Sequence, residues 1–232
     1  MTRTPLLLLP GLLLDERLFA AQIEALADLA EPQVGNLRGA ETMAELAERA
    51  LAEAPERFAL CGLSMGGYLA LEMVRRAPER VEKLALLDTQ ARTDPPEIRE
   101  RRLAQIAQAE RGELDRVLAQ LLPLMVHAER HDDRALMSAV EAMARDAGPE
   151  VFMRQQRAIM SRSDLRPALG RIACPTLVLC GRQDALTPVD RHEETAAAIP
   201  DATLVVLPRC GHLSPLERPA EVSAQLRIWL EA

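Results

Sequence analysis

The sequence predicts an α/β protein: an open sheet of about six mainly parallel strands flanked by helices, with a helical insertion. Three observations lead there. Short apolar runs recur along the chain, and most are continuous, as in strands buried on both faces of a parallel sheet. Segments of helical periodicity separate them, so strand and helix alternate. One interval, from Leu87 to Thr176, far exceeds the ~30 residues of a βαβ unit, and its excess reads as helix.

The first run is Leu6–Leu9, followed by helical spacing at Phe19, Ile23 and Leu26. A weak run near Val34 is the least marked strand, and Met43, Leu46, Ala47 and Ala50 repeat as a helix after it. Phe58–Cys61 is the third run, and Leu69, Met73, Val74 and Ala77 form the next stripe, closed by Pro78. Leu84–Leu87 follows. In the insertion, Leu114, Val117, Leu118, Leu121, Leu122 and Met125 keep i, i+3, i+4, i+7 spacing, with shorter stripes at Leu136, Val140, Met143 and at Phe152, Gln156, Ile159. The last two strands are Thr176–Cys180 and Thr203–Leu207, and Val222, Leu226, Trp229 and Leu230 share one face of a final helix, with Pro219 suited to its first turn. Residues 1–89 and 171–232 therefore read as the core. Residues 90–170 read as a helical cap, apolar underneath, over the sheet. Its charge runs "RERR" and "ERHDDR" read as solvated helix faces.

Composition narrows the function. The chain has 232 residues, 48% of them hydrophobic, with 28 basic against 35 acidic side chains and a net charge of −7. That balance argues against nucleic acid or an anionic membrane surface as the main partner. Aromatic residues make up only 2%, so any apolar pocket must be lined mostly by aliphatic and methionine side chains. Cys61, Cys174, Cys180 and Cys210 form no C-x-x-C pair, which suits reduced thiols in a cytoplasmic protein. The stretch "PLLLLPGLLL" after Arg3 imitates a signal peptide, yet Asp15, Glu16 and Arg17 occupy the place of a cleavage region. No run reaches the ~18–20 apolar residues of a membrane span.

Chemistry concentrates in "FALCGLSMGGYLA", Phe58 to Ala70. Gly62, Leu63, Ser64, Met65 and Gly66 fit G-x-S-x-G between an apolar strand and a helix, the setting of a nucleophile elbow. A tight strand-to-helix turn projects the serine hydroxyl and leaves no room for side chains two residues to either side. Serine needs a general base, and the base an acid to orient it. Of four histidines, His127 and His131 lie in the polar part of the insertion, and His192 in "DRHEE" reads as solvated. His212, in the loop "LPRCGHLSPLERP" between the last strand and last helix, is the candidate base. Asp184, just past the strand Thr176–Cys180, is the favoured acid, giving the chain order Ser64, Asp184, His212. Asp88 at the end of "LALLD" and Asp190 beyond Pro188 are rivals, the latter well placed as a helix cap. The oxyanion donors expected are the backbone N–H groups of Met65 and of Leu12, where Gly11 lets the chain turn after the first strand.

With "LLLLPG", "LCGLSMGGYLALEMVRRAPERVEKLALLDT", "IACPTLVLCGRQDALTP" and "LPRCGHLSPLERPAEV" in place, the chain resembles the α/β-hydrolase superfamily, in its small capped branch of esterases, enol-lactonases and C–C hydrolases. The resemblance implies a serine carboxylester hydrolase acting on small to medium acyl substrates, esters or lactones, without metal or organic cofactor. A lactonase, a C–C bond hydrolase and a non-catalytic ligand-binding relative are the alternatives on the same fold. Two departures stand out: Pro10-Gly11 replaces the family's usual His-Gly, and the chain begins directly at the first strand, so six strands are expected instead of eight.

Overall fold

A computed structural model describes residues 3–232 of the chain. Its sheet has six strands: β1 (Thr4–Leu9), β2 (Ala30–Val34), β3 (Phe58–Leu63), β4 (Val81–Leu87), β5 (Thr176–Gly181) and β6 (Ala202–Leu207). Their order is β2-β1-β3-β4-β5-β6, and every pairing is parallel. All residues of β3 and β5 are buried, so both faces of the sheet are covered there. That is why these strands read as unbroken apolar runs. β2 reads weakly because it is an edge strand: only Ala30 is buried, exposed and half-buried positions alternate after it, and it carries Pro32, which an edge tolerates.

Between the strands lie α1 (Ala20–Ala25), α2 (Met43–Glu53) and α3 (Met65–Arg76). Then come α4 (Pro96–Glu110), α5 (Leu114–Met125) and α6 (Arg134–Met160). α7 (Val189–Ala198), α8 (Ser214–Glu217) and α9 (Pro219–Glu231) complete the chain. α3 is buried from Met65 to Val74 and packs on β3, with α2 against its other side. α9 starts at Pro219, as expected, and packs on α1 and on β4 and β5.

The long interval holds α4, α5 and α6, which pack on one another. The stripes expected from periodicity are buried: Val117, Leu118, Leu122 and Met125 on α5, and Leu136, Val140 and Met143 on α6. α6 bends at Gly148, whose φ of 75° interrupts the helical backbone, so the third stripe, with buried Phe152, Gln156 and Ile159, belongs to its second half. α4 shows no apolar stripe because only Ile106 and Ala109 on it are buried. The expectation of a segment apolar underneath fails at this helix.

Candidate active site

Ser64 stands alone between β3 and α3, with φ 53° and ψ −113°. A non-glycine residue held there stores ~1–3 kcal/mol, so its surroundings must impose it. Ser64 N–H donates to the Leu87 carbonyl (2.9 Å), and its own carbonyl accepts from Gly67 N–H (2.9 Å), Tyr68 N–H (3.1 Å) and the Thr89 hydroxyl (2.8 Å). The flanking glycines answer to close approach. A Cβ on Gly62 would lie 2.3 Å from the Gly66 carbonyl oxygen, and one on Gly66 would lie 2.0 Å from that of Leu9.

Asp184 lies just beyond β5. Its Oδ1 accepts from the N–H groups of Leu186 (2.8 Å) and Thr187 (2.9 Å), and its Oδ2 from the Thr187 hydroxyl (2.6 Å). The same Oδ2 lies 2.7 Å from His212 Nδ1, with both side chains buried. An ionised carboxylate only accepts, so Nδ1 carries the imidazole proton and Nε2 keeps its lone pair. Burial alone would push His212 down, but the Asp184 charge and hydrogen bond outweigh it and hold the pKa above the usual histidine value. Burial likewise pushes Asp184 up, and the His212 charge, with hydrogen bonds from His212 and Thr187, brings it below the usual carboxylate value.

The rival carboxylates face elsewhere. Asp88 is fully buried with φ 45°, and it accepts from Gly181 N–H (3.0 Å), Ser214 N–H (3.3 Å) and the Ser214 hydroxyl (2.5 Å). Burial, then the Asp184 charge, push its carboxyl up to about 8. Asp190 sits in the first turn of α7 with a largely exposed side chain, as a helix-start residue should.

His192 corrects the sequence reading. It is fully buried, not solvated: Nε2 accepts from Thr89 N–H (2.9 Å) and Nδ1 lies 3.2 Å from the Pro188 carbonyl. One donor and one acceptor partner set a neutral ring protonated at Nδ1, and burial lowers its pKa to about 4. Charged neighbours in "DRHEE" conceal this, because only one face of α7 turns inward. His127 and His131 are occupied locally, by Glu129 N–H and by the carbonyls of Pro123 and Val126.

Glu217 was not singled out in the sequence. It is buried on α8, and its carboxylate accepts from Gly211 N–H (3.0 Å), Leu213 N–H (3.3 Å) and His127 N–H (2.9 Å). It thereby grips the chain on both sides of His212 and ties it to the end of α5. His212 N–H adds a bond to the Met125 carbonyl (3.1 Å). A glutamate at a loop–helix junction reads as a helix-start charge; two of its donors lie in the adjoining loop, and the third, His127 N–H, comes from 90 residues away.

The candidate oxyanion donors sit at two turns. Met65 opens α3, where N–H groups have no intrahelical acceptor and the helix end is electropositive. Leu12 follows Gly11 in a turn closed by Leu14 N–H on the Gly11 carbonyl (3.2 Å). The left-handed residue of that turn is Leu13, φ 63°, and not Gly11. Leu13 N–H is held by Gln155 Oε1 of α6 (2.8 Å), whose amide nitrogen donates to the Leu37 carbonyl (3.3 Å).

Leu12, Ser64 and His212 all line one cavity of about 380 Å3, together with residues of α4, α5 and α6. Among the described residues no hydrogen bond joins the Ser64 hydroxyl to His212. Such contacts are often long in unliganded sites and tighten with substrate. The cavity wall holds Leu121, Leu124, Met125, Ile159 and Leu186, as the scarcity of aromatics suggests, but also five glutamines and two arginines.

A six-stranded parallel sheet with a serine at a strained strand-to-helix turn defines an α/β-hydrolase fold. The chain belongs to the alpha/beta hydrolase family, whose family model matches residues 6–225. It is 29% identical over 173 residues to a pimeloyl-[acyl-carrier protein] methyl ester esterase of Nitrosomonas europaea, covering 72% of this chain and 69% of that one. It is 30% identical over 195 residues to the protein of the same description from Klebsiella pneumoniae subsp. pneumoniae, covering 78% and 73%. Among solved structures, a thermophilic esterase from Thermogutta terrifontis, malate bound, superposes with a TM-score of 0.91 at 31% identity, covering 99% of this chain and 90% of that one. The enol-lactonase from Burkholderia xenovorans LB400 shares the fold, with a TM-score of 0.90 at 24% identity over 100% and 93% of the two chains. The chain is thus a hydrolase of this family, and its homologues include proteins described as esterases. Among the described residues no helix is long and apolar enough to cross a membrane.

Proposed function

We propose that the chain is a serine carboxylesterase that cleaves small to medium acyl esters through an acyl-enzyme. The observation that carries this reading is the buried Asp184–His212 pair, whose histidine lines the same cavity as Ser64. His212 Nε2 takes the Ser64 proton as Oγ attacks the ester carbonyl. The N–H groups of Leu12 and Met65 receive the developing oxyanion, each such donor contributing about 2.7–4 kcal/mol in a comparable site. His212 then gives its proton to the departing alkoxide. Water, deprotonated by the same nitrogen, releases the acid and restores Ser64. Asp184 keeps the ring oriented and stabilises the imidazolium. These steps call on no metal or organic cofactor.

Residues 90–170 act as the cap that completes the cavity over this machinery, and the core comprises 1–89 and 171–232. The curated relatives are described as esterases of pimeloyl-[acyl-carrier protein] methyl ester, which supports a methyl or similarly small ester of an acyl chain as the bond cleaved. Free thiols at all four cysteines suit a cytoplasmic enzyme.

The test is Ser64→Ala. It should remain folded by circular dichroism, lose labelling by a fluorophosphonate probe, and lose p-nitrophenyl ester hydrolysis by ~10⁴-fold or more in kcat. Retained turnover, or a wild-type serine inert to the probe, would overturn the reading and favour a non-catalytic binding role. A panel adding an enol-lactone and a dienone to simple esters tests the bond type.

A further inference from the structure

We infer that the substrate carries an anionic carboxylate besides the ester it presents to Ser64, and that Arg101 on α4 receives it. This rests on the esterase reading and narrows its substrate class to half-esters of dicarboxylic acids. The face of α4 that lines the cavity includes Ile98, Arg101, Arg102, Gln105 and Gln108. These recur at helical spacing, so a polar stripe faces the site where a cap helix would ordinarily turn apolar side chains inward.

The charges of that face are not balanced. Asp94, which also lines the cavity, is buried and held by two guanidinium groups, Arg102 Nε at 2.7 Å and Arg162 Nη2 at 2.7 Å. Arg102 is further fixed by Gln156 Oε1 (2.6 Å), and Gln156 donates to Gln105 (3.1 Å). Two cations on one carboxylate leave that network with an excess positive charge. Arg101 has no ion-pair or hydrogen-bond partner among the described residues, and it adds a second. This electropositive wall belongs to a chain whose net charge is −7, so it is a local arrangement and not a general basicity. Gln108 and Gln120 line the same cavity, and their side-chain amides have no hydrogen-bond partner among the described residues. Opposite chemistry is present too: Leu121, Met125, Ile159 and Leu186 supply apolar wall. A cavity with an apolar lining, unpaired amides and a free guanidinium matches an aliphatic acyl chain ending in a carboxylate, which a guanidinium fork can accept with two hydrogen bonds.

The experiment compares kcat/KM for monomethyl adipate, which carries a free carboxylate, with dimethyl adipate, which does not, in wild type, Arg101→Ala and Arg101→Lys at low and high salt. Arg101 is exposed, so its pairing is moderated by water, and a preference for the half-ester of roughly two- to fivefold is expected at low salt. Arg101→Ala should abolish that preference, chiefly through KM, because a remote group held equally in ground and transition states acts there. Lysine should keep part of it, and high salt should shrink it in wild type by screening. Equal use of the two esters by wild type, or a preference that survives Arg101→Ala, overturns the inference while leaving the esterase reading standing. If neither ester is cleaved, the esterase reading fails separately. The subsite is then read by calorimetric titration of adipate into the Ser64→Ala chain: binding roughly two- to fivefold weaker on adding Arg101→Ala supports it, and absent or Arg101-independent binding sinks it.

Discussion

The strand ends of the sheet and the helices between β4 and β5 build two sides of one cavity by different means. On the strand side, Ser64, Asp184 and His212 leave the ends of β3, β5 and β6, and each is held by short bonds to backbone or buried side chains. On the helical side, α4 presents arginines and glutamines, of which Arg102 is anchored and Arg101 is not. The strand side is suited to chemistry, because reacting groups must be preorganised within fractions of an ångström. The helical side is suited to selection among substrates, since a long polar side chain can be exchanged without disturbing a sheet. Gln155 and Glu217 are where the sides meet: one ties α6 to the turn after β1, the other ties the end of α5 to the His212 loop.

The largest effect expected lies wholly on the strand side and separates two buried carboxylates. Asp184→Asn should lower kcat about 10⁴-fold, by favouring the wrong imidazole tautomer. Asp88→Asn should lower it less than about tenfold, because Asp88 bonds Ser214 and Gly181 and makes no bond to His212. Steady-state kinetics on one ester compares them, and an equal loss in both variants would show that the acid has been assigned to the wrong residue.

A smaller effect tests the seam. Glu217→Ala leaves three buried N–H groups, of Gly211, Leu213 and His127, without their acceptor. An unsatisfied buried donor costs about 1–3 kcal/mol, and three that share one acceptor are not additive, so a loss of roughly 3–5 kcal/mol in urea denaturation is expected. Activity at a temperature where the variant is folded should fall in kcat more than KM rises, since the loop carries the proposed base, His212. Unchanged kcat would mean that the Asp184 bond alone positions His212.

The smallest effect is a displacement along the pH axis. The folded His212 pKa is raised above 6.5 by its partner Asp184, after burial is overcome, so the ring keeps its proton to higher pH than a free histidine. The general base must be neutral. The kcat/KM profile should therefore be low in acid and rise with pH through an inflection above 6.5. An inflection below that value would indicate that burial outweighs the carboxylate.

Much of the strand side was legible because its constraints are local. Gly62 and Gly66 are demanded by backbone contacts within the elbow and with β1, and the apolar runs of β3 and β5 follow from burial on both faces. Asp184 and His212 each follow a strand closely, so chain order alone suggests their pairing. The turn after β1 was only half legible: Leu12 was picked out, but the left-handed residue is Leu13, because a distant glutamine compensates the strain that a glycine would have avoided. His192 was misread since the charged residues beside it in sequence point another way in space.

By itself, then, the sequence indicated the α/β architecture, about six mainly parallel strands and candidate residues beyond three of them, because apolar runs and the G-x-S-x-G turn can be read one strand–turn–helix unit at a time. Only the tertiary structure decided which way α4 faces, that His192 is buried against Thr89, and that Glu217 serves three separate amides. The burial of His192 on Thr89 and the bond from His127 to Glu217 join residues about a hundred apart in the chain. Periodicity can show that a helix has two faces, but when both are polar, only packing decides which of them meets the cavity.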